Sequence, residues 1–391
     1  MTTIDLCAGI GGIRRGFELA GNFENILTAE IDEAAQATYS ALFGKTEFYD
    51  VTDEDSIVEA IHEMNRNVDV VLAGFPCQAF SLVGKREGFN DPTRGTIFFN
   101  IRNLIARLRP KAFFLENVSN LFSHDKGATF KRIIDVLEND LNYKVIGVDR
   151  DLLGNISYVR NSFVRNSCYF GLPQNRPRTY IMGFSRNEYR DTIQELDGLT
   201  LPTQRDREPI VRSLDGIIEP EVDLHYYLSS GLWKTLKRHK VRQSQNNSGF
   251  GYSVVYDSQN DEGNETKLAH TVMATGGSGK ERNLVRQPCN KLYEWLIDHP
   301  HDDEVFPGKK SNLNRDYIRV MTPTEWGRLQ GFIGYGFMEN GIDRFHFPEG
   351  MRDAPKYKQF GNSVTIPVIE TMAQFMIRCF RMLGEDIGED I

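Results

Sequence analysis

With 391 residues, 40% of them hydrophobic and 26% charged, the chain has the composition of an ordinary globular protein and enough length for two domains, or for one large domain with an insertion. No apolar run approaches the roughly 20 residues of a membrane span, and Met1-Thr2-Thr3-Ile4-Asp5-Leu6 enters a strand-like run without a basic leader, so neither membrane insertion nor secretion is expected. Five scattered cysteines without a C-x-x-C pair point to a reducing cytosol and against a disulfide framework or a zinc site, and no metal is expected. The net charge of −8 excludes a uniformly basic nucleic-acid binder but not one with a local basic groove.

Residues 3–8 predict a first strand, closed by the turn Gly9-Ile10-Gly11-Gly12, and the helix after it would carry Ile13, Phe17, Leu19 and Ala20 inward. Ile26-Leu27-Thr28-Ala29 reads as a second strand ending in Glu30-Ile31-Asp32, followed by a helix over 33–43. A turn at Asp50-Val51-Thr52 precedes another helix. The β-branched apolar run 68–73 is short enough for a buried strand and leads into Gly74-Phe75-Pro76-Cys77-Gln78-Ala79-Phe80-Ser81. After a polar loop over 85–95 come a helix over 97–108 and the buried strand Ala112-Phe113-Phe114-Leu115, ending in Glu116-Asn117-Val118. Strands alternating with helices at this spacing predict a parallel, doubly wound α/β sheet. The strand ends then carry Gly9, Glu30, Asp50, Cys77 and Glu116 at the edge where open α/β sheets bind ligands.

From about residue 187 long polar stretches replace this alternation, and 187–315 reads as a separate, loop-rich domain with short strands. It holds one basic cluster, Lys234, Lys237, Arg238, Lys240 and Arg242, readable as a phosphate-binding surface or as a solvated helix face. Thr322 with Glu325 predicts a capped helix start, 365–383 a long final helix, and 384–391 a frayed acidic tail.

Several of these groups carry chemistry. A cysteine wedged between Pro76 and Gln78 at a strand end reads as a presented nucleophile, since thiolate is the reactive form; a small buried core cysteine is the alternative. The glycine turn at a helix N-terminus, with Glu30 about twenty residues on, suits an adenosine-containing cofactor whose ribose an acidic side chain grips. A dinucleotide fingerprint would need a third glycine where Arg14 stands, so a nucleoside without pyrophosphate fits better and a nicotinamide oxidoreductase does not. Glu116 ends an apolar run, and desolvation there would suit a proton donor or a helix-capping carboxylate. Arg176 and Arg178 alternate as in a strand and are expected on one face, to bind a carboxylate, phosphate or base carbonyl, or to pair on the surface. Gly361-Asn362-Ser363-Val364 would complete a ligand wall or simply cap the last helix.

Taken in order, Asp5-Leu6-Cys7-Ala8-Gly9-Ile10-Gly11-Gly12, Gly74-Phe75-Pro76-Cys77-Gln78, Glu116-Asn117-Val118, Gln174-Asn175-Arg176-Pro177-Arg178 and Gly361-Asn362-Ser363-Val364 resemble the DNA (cytosine-5)-methyltransferase family, most closely its bacterial restriction–modification members. The resemblance spans about residues 3–185 and 319–370. It implies a class I S-adenosylmethionine-dependent methyltransferase, a Rossmann-like doubly wound sheet with a smaller target-recognition domain inserted. The expected division is 1–186 catalytic and cofactor-binding, 187–315 target recognition, and 316–391 a return to the catalytic domain.

By the same resemblance Cys77, Glu116, Arg176 and Arg178 are the catalytic residues: Cys77 attacks carbon 6 of a flipped-out cytosine, Glu116 engages ring nitrogen 3 and the exocyclic amine, Arg178 holds the base carbonyl, and Arg176 supports the loop or the cysteine. S-adenosylmethionine would be held by Cys7, Ala8, Gly9, Ile10, Gly11, Gly12, Glu30, Ile31, Asp50, Val51, Gly74, Pro76, Ile97, Asn362 and Val364. DNA would meet Gln78 and, on the loop 81–94, Ser81, Lys85, Arg86 and Arg94. Two positions depart from the family pattern, Cys7 for its usual Phe and Ile31 for a frequent aromatic, both beside adenine. The implied protein is a monomeric, cytoplasmic enzyme that methylates a specific site in double-stranded DNA, protecting the host beside a companion endonuclease. A tRNA cytosine-5 methyltransferase is the alternative, set back by the absence of a Cys-Phe-Thr signature and by Phe75 where that relative has Pro. A non-catalytic module that kept the fold is disfavoured by the joint presence of Cys77, Glu116, Arg176 and Arg178.

Overall fold

The computed structural model describes residues 1–76, 97–151, 153–245, 252–260, 267–274 and 282–388. Strands β1 (Thr2–Leu6), β2 (Glu24–Ala29), β3 (Phe48–Tyr49), β4 (Val70–Gly74) and β5 (Ala112–Val118) run parallel and alternate with helices α1 (Gly12–Ala20), α2 (Glu33–Phe43), α3 (Glu54–Glu63) and α4 (Ile97–Leu108). After α5 (Ala128–Asp135) come β6 (Tyr143–Val145), the small hairpin β7 (Val148–Arg150) and β8 (Ile156–Tyr158), then β9 (Val164–Asn166), β10 (Gln174–Asn175) and β11 (Pro177–Ser185). Among the described residues the central sheet has eight strands in the order β3-β2-β1-β4-β5-β11-β6, with β11 antiparallel to β5 and β9 paired to β11. The doubly wound sheet expected from the sequence is therefore present, with an antiparallel member near one edge.

Both faces of the sheet are covered, so the central strands are apolar at consecutive positions instead of alternating with polar ones. One face of β1, β4 and β5 (Ile4, Leu6, Val71, Ala73, Phe113, Leu115) packs on α3, α4 and α5 through Ile57, Ile61, Phe98, Leu104 and Ile133. Val70, Leu72 and Phe114 face the other way, onto Phe17 of α1 and Met372, Phe375 and Met376 of the final helix, α10 (Ile366–Met382). Helices α1 and α10 lie so close that a Cβ on Gly16 would sit 2.5 Å from Ile369 Cβ. Ile13 and Phe17 are buried as expected, whereas Leu19 and Ala20 are only partly so.

The remaining chain builds α6 (Ser230–Gln245), β12 (Val254–Asp257), β13 (Ala269–His270), β14 (Leu284–Arg286), α7 (Asn290–Asp298) and β15 (Ile318–Val320). Strands β12, β14 and β15 form a small sheet, while β13 leaves it and pairs with β10. Helix α8 (Pro323–Gln330) opens with the expected capping box of Thr322 and Glu325. The same Glu325 pairs with Arg319 of β15 at 2.6 Å, both side chains fully buried. A short hairpin, β16 (Met338–Glu339) and β17 (Ile342–Asp343), and α9 (Asp353–Asn362) lead to α10. Among the described residues no helix is long and apolar enough to cross a membrane.

The strand expected over 112–115 and ending in Glu116-Asn117-Val118 is β5, whose antiparallel pairing with β11 carries the ladder to Arg178. The expectation of a frayed tail is corrected. The tail is docked through Gly388, with Ile387 buried among the α10 side chains and Arg381 donating to the carbonyls of Ile387 and Gly388.

The alternation along β1 has a cost at Asp5, which faces the α1 side fully buried, with neither carboxyl oxygen meeting a hydrogen-bond donor among the described residues. Burial pushes its pKa up to about 8 from 3.8, with Arg14 opposing and Glu30 adding. Between these two values Asp5 binds more proton in the folded chain than in the unfolded one, so its contribution to stability is greatest at low pH, falls as pH rises, and levels off above about 8. Melting of wild type and Asp5→Asn from pH 5 to about 9 is expected to show the variant gaining on wild type as pH rises, and parallel profiles would refute it.

Candidate active site and cofactor cavity

A cavity of about 700 Å³ opens at the C-terminal ends of β1, β2, β4 and β5, within the roughly 300–1,000 Å³ of small-molecule sites. One half is built by the turn after β1. Gly9 and Gly11 take left-handed φ values of 56° and 76°, and Cys7 shares that region at 55°. Gly11 also has no room for a side chain, since its Cβ would lie 2.3 Å from the Phe43 ring. The turn aims the Gly9 amide at Glu30 Oε2, 2.7 Å away, while Glu30 Oε1 accepts the amides of Ile31 and Asp32 at 2.8 Å each. Three amides thus orient one carboxylate over the cavity. At the end of β3, Asp50 Oδ1 accepts both the amide and the hydroxyl of Thr52. Ile31, 71% exposed, and Val51 and Ile97 supply apolar wall. A carboxylate fixed for hydroxyls beside apolar surfaces fits the ribose and adenine of an adenosyl group.

Cys7 lies on this wall, but burial, with Glu30 and Asp5 adding, pushes its thiol up to about 12, so it is a neutral packing group. Gly9, Ile10, Glu30, Ile31, Asp50, Val51, Gly74, Pro76, Ile97 and Asn362 also line the cavity. Ala8, Gly11, Gly12 and Val364 do not: they stand behind the wall, where Gly12 is so tightly met by Val364 that a Cβ would lie 2.8 Å from Val364 Cγ2. Their place is to shape the turn and seat α1.

The other half is walled by β5 and β11. Glu116 Oε1 lies 3.2 Å from Arg178 Nε, with side chains 10% and 12% exposed. Burial raises the Glu116 pKa, and the charges of Arg178 and Arg176 only partly oppose it. Asn117, the next residue, turns away and donates Nδ2 to the Phe75 carbonyl at 2.8 Å, fixing the chain just before Pro76. Cys77 follows at once, and it lies outside the described residues together with Gln78, Ser81, Lys85, Arg86 and Arg94.

The expectation that Arg176 and Arg178 share a face is overturned. Arg176 sits in the break between β10 and β11, 1% exposed, and spends its guanidinium on the carbonyls of Val272 (2.7 Å), Gly361 (3.0 Å) and Ser363. The strand interruption at Arg176, just before Pro177, which has no amide to donate, sets the two side chains apart.

Other cavity residues had no site role assigned from the sequence: Asn117 and Val118 of the Glu116-Asn117-Val118 motif, Ala274, and Asp32 with Lys358. Gly361 explains how Ala274 gets there, for a Cβ on Gly361 would lie 2.3 Å from the Ala274 amide nitrogen. In the basic cluster of α6, Lys234 pairs with Asp302 and Lys237 with Asp316, while Lys240 lies 4.6 Å from the centre of the Tyr252 ring. Part of that charge is thus already neutralised.

Comparison with known proteins agrees with this arrangement. The C-5 cytosine-specific DNA methylase family model matches residues 1–378. The chain is 40% identical over 370 residues to the Type II methyltransferase M.HpaII of Haemophilus parainfluenzae, covering 94% of this chain and 87% of that one. It is 35% identical over 374 residues to M1.ScrFI of Lactococcus lactis subsp. cremoris, covering 96% and 77%. The solved Entamoeba histolytica methyltransferase EhMeth shares the fold, with a TM-score of 0.61 at 22% identity over 100% of this chain and 99% of that one. The chain belongs to the C-5 cytosine-specific DNA methylase family, enzymes that methylate carbon 5 of cytosine in DNA with S-adenosylmethionine as donor.

Proposed function

We propose that this chain methylates one cytosine within a specific double-stranded DNA site, that the Glu30 half of the cavity holds the donor, and that the Glu116 half holds the base. The pairing of a shielded Glu116 with Arg178, one strand away from the chain leading to Cys77, is the observation that carries this reading. The target atoms are inaccessible in a stacked duplex, so the base must be flipped into the cavity.

Cytosine carbon 6 becomes electrophilic when the ring is polarised. Glu116, held toward its neutral form by burial, donates to ring nitrogen 3 and accepts from the exocyclic amine, and Arg178 holds the base carbonyl. The Cys77 thiolate then adds to carbon 6, and the electron pair moves to carbon 5. The bound donor supplies the methyl group as an electrophile on its sulfonium sulfur. Loss of the carbon 5 proton to solvent restores the ring double bond as the sulfur of Cys77 leaves. Asn117 and Arg176 act by position: the first fixes the backbone before Pro76, the second packs the walls around Arg178.

Residues 187–315 serve as the target-recognition domain between catalytic segments 1–186 and 316–391, and Gln78, Ser81, Lys85, Arg86 and Arg94 meet the DNA. The Type II names of the two curated relatives support a role in restriction–modification, with a companion endonuclease cutting the unmethylated site. A cytoplasmic monomer suits asymmetric contact with such a site.

Incubation with a duplex of 5-fluorocytosine DNA and donor is expected to trap a covalent adduct at Cys77, absent in Cys77→Ala; no adduct in wild type would reject the mechanism. Tritium from labelled donor should enter duplex DNA and not tRNA. Glu116→Gln is expected to lower kcat by roughly 10²–10³. In wild type, activity should fall on the alkaline side as the raised Glu116 carboxyl ionises. That limb should vanish in Glu116→Gln, and its persistence would remove Glu116 as the proton-bearing group.

A further inference from the structure

The Glu30 half of the cavity is walled by two segments distant in sequence, the start of α2 and the end of α9, and they are fastened twice. Inside the wall, buried Gln359 donates Nε2 to the Ala34 carbonyl at 2.8 Å and accepts from Thr38 Oγ1 at 2.9 Å. One residue earlier, Lys358 Nζ donates to Asp32 Oδ2 at 2.6 Å, and both residues line the cavity. Lys358 is 54% exposed and Asp32 33%, so this second fastening stands at the mouth. Asp32 is rigid on its own side: Oδ1 caps α2 through the amides of Ala34 and Ala35, and its amide donates to Glu30 Oε1. The bridge therefore runs beside the carboxylate assigned to the ribose.

An ion pair this exposed contributes little to folding, but its ends belong to the two separate segments, at α2 and α9, that line this half of the cavity. Resting on the reading of this half as the donor site, we propose that the Asp32–Lys358 pair is a clasp that slows escape of S-adenosylmethionine and of its demethylated product. Lys358 is a positioning residue: it holds the mouth closed and touches no reacting atom. The electrostatic account of the same residues makes a different prediction. The donor carries a net positive charge, so loss of the Lys358 cation would hold it more tightly and loss of the Asp32 anion less tightly. A broken clasp speeds release in both cases, and does so for the uncharged-sulfur product as well.

Release of tritiated S-adenosylmethionine and of tritiated S-adenosylhomocysteine from the full-length protein, chased with unlabelled ligand without DNA, separates the two. Lys358→Met and Asp32→Asn are each expected to speed release of both ligands by about two- to fivefold, the scale of an exposed ion pair. Asn keeps the helix cap, and Lys358→Arg should restore slow release. Unchanged rates in both variants, or shifts of opposite sign, overturn the clasp. A wild type that retains neither ligand overturns the donor-site reading, and the clasp with it.

Discussion

Parallel registry across β2, β1, β4 and β5 sets where every functional group in this molecule can stand. Leu6 pairs with Ala29 and with Ala73, and Ala73 pairs with Leu115, so the residues that come next fall on one line across the sheet. Those residues are Cys7, Glu30, Gly74 and Glu116, with Asp50 added because Ala29 pairs with Tyr49. A slip of one residue in any strand would carry each of its side chains to the opposite face of the sheet and withdraw its group from the line. The apolar packing on both faces forbids such slips, and so the core, rather than any contact within the cavity, fixes the distance between the two halves.

Burial then sorts the acids along that line by what they touch. Glu30 accepts three backbone amides, whereas Glu116 has a guanidinium partner that offsets its desolvation only partly. Asp5, two residues back from the line, has no donor among the described residues, and burial drives it toward neutrality. Glu116 and Asp5 are thus both shifted toward the neutral form, and in both the cause is burial.

Much of this was legible in the sequence. Alternating apolar runs and polar turns identified the sheet, and the residues ending those runs are the ones that line the cavity, from Gly9 and Glu30 to Glu116. What failed to show was whatever depended on a third element. Arg176 and Arg178 have the spacing of one strand face, and only the break just before Pro177 and the carbonyls of Val272 and Gly361 explain their divergence. Val364 and Gly12 belong to a wall-supporting contact between distant segments, which no local pattern encodes. Lys358 and Asp32 meet across 326 residues, so neither charge had a visible partner.

The close seating of Ala274 on Gly361 carries a consequence for the modularity of the insertion. Because its backbone presses on α9 and its Val272 carbonyl takes the Arg176 guanidinium, the stretch 267–274 is a structural member of the cavity wall and not a detachable appendage. A graft that replaces this stretch would have to carry over a small residue and an outward carbonyl at these two positions. A segment lacking that edge would leave the buried Arg176 guanidinium with only the Gly361 and Ser363 carbonyls.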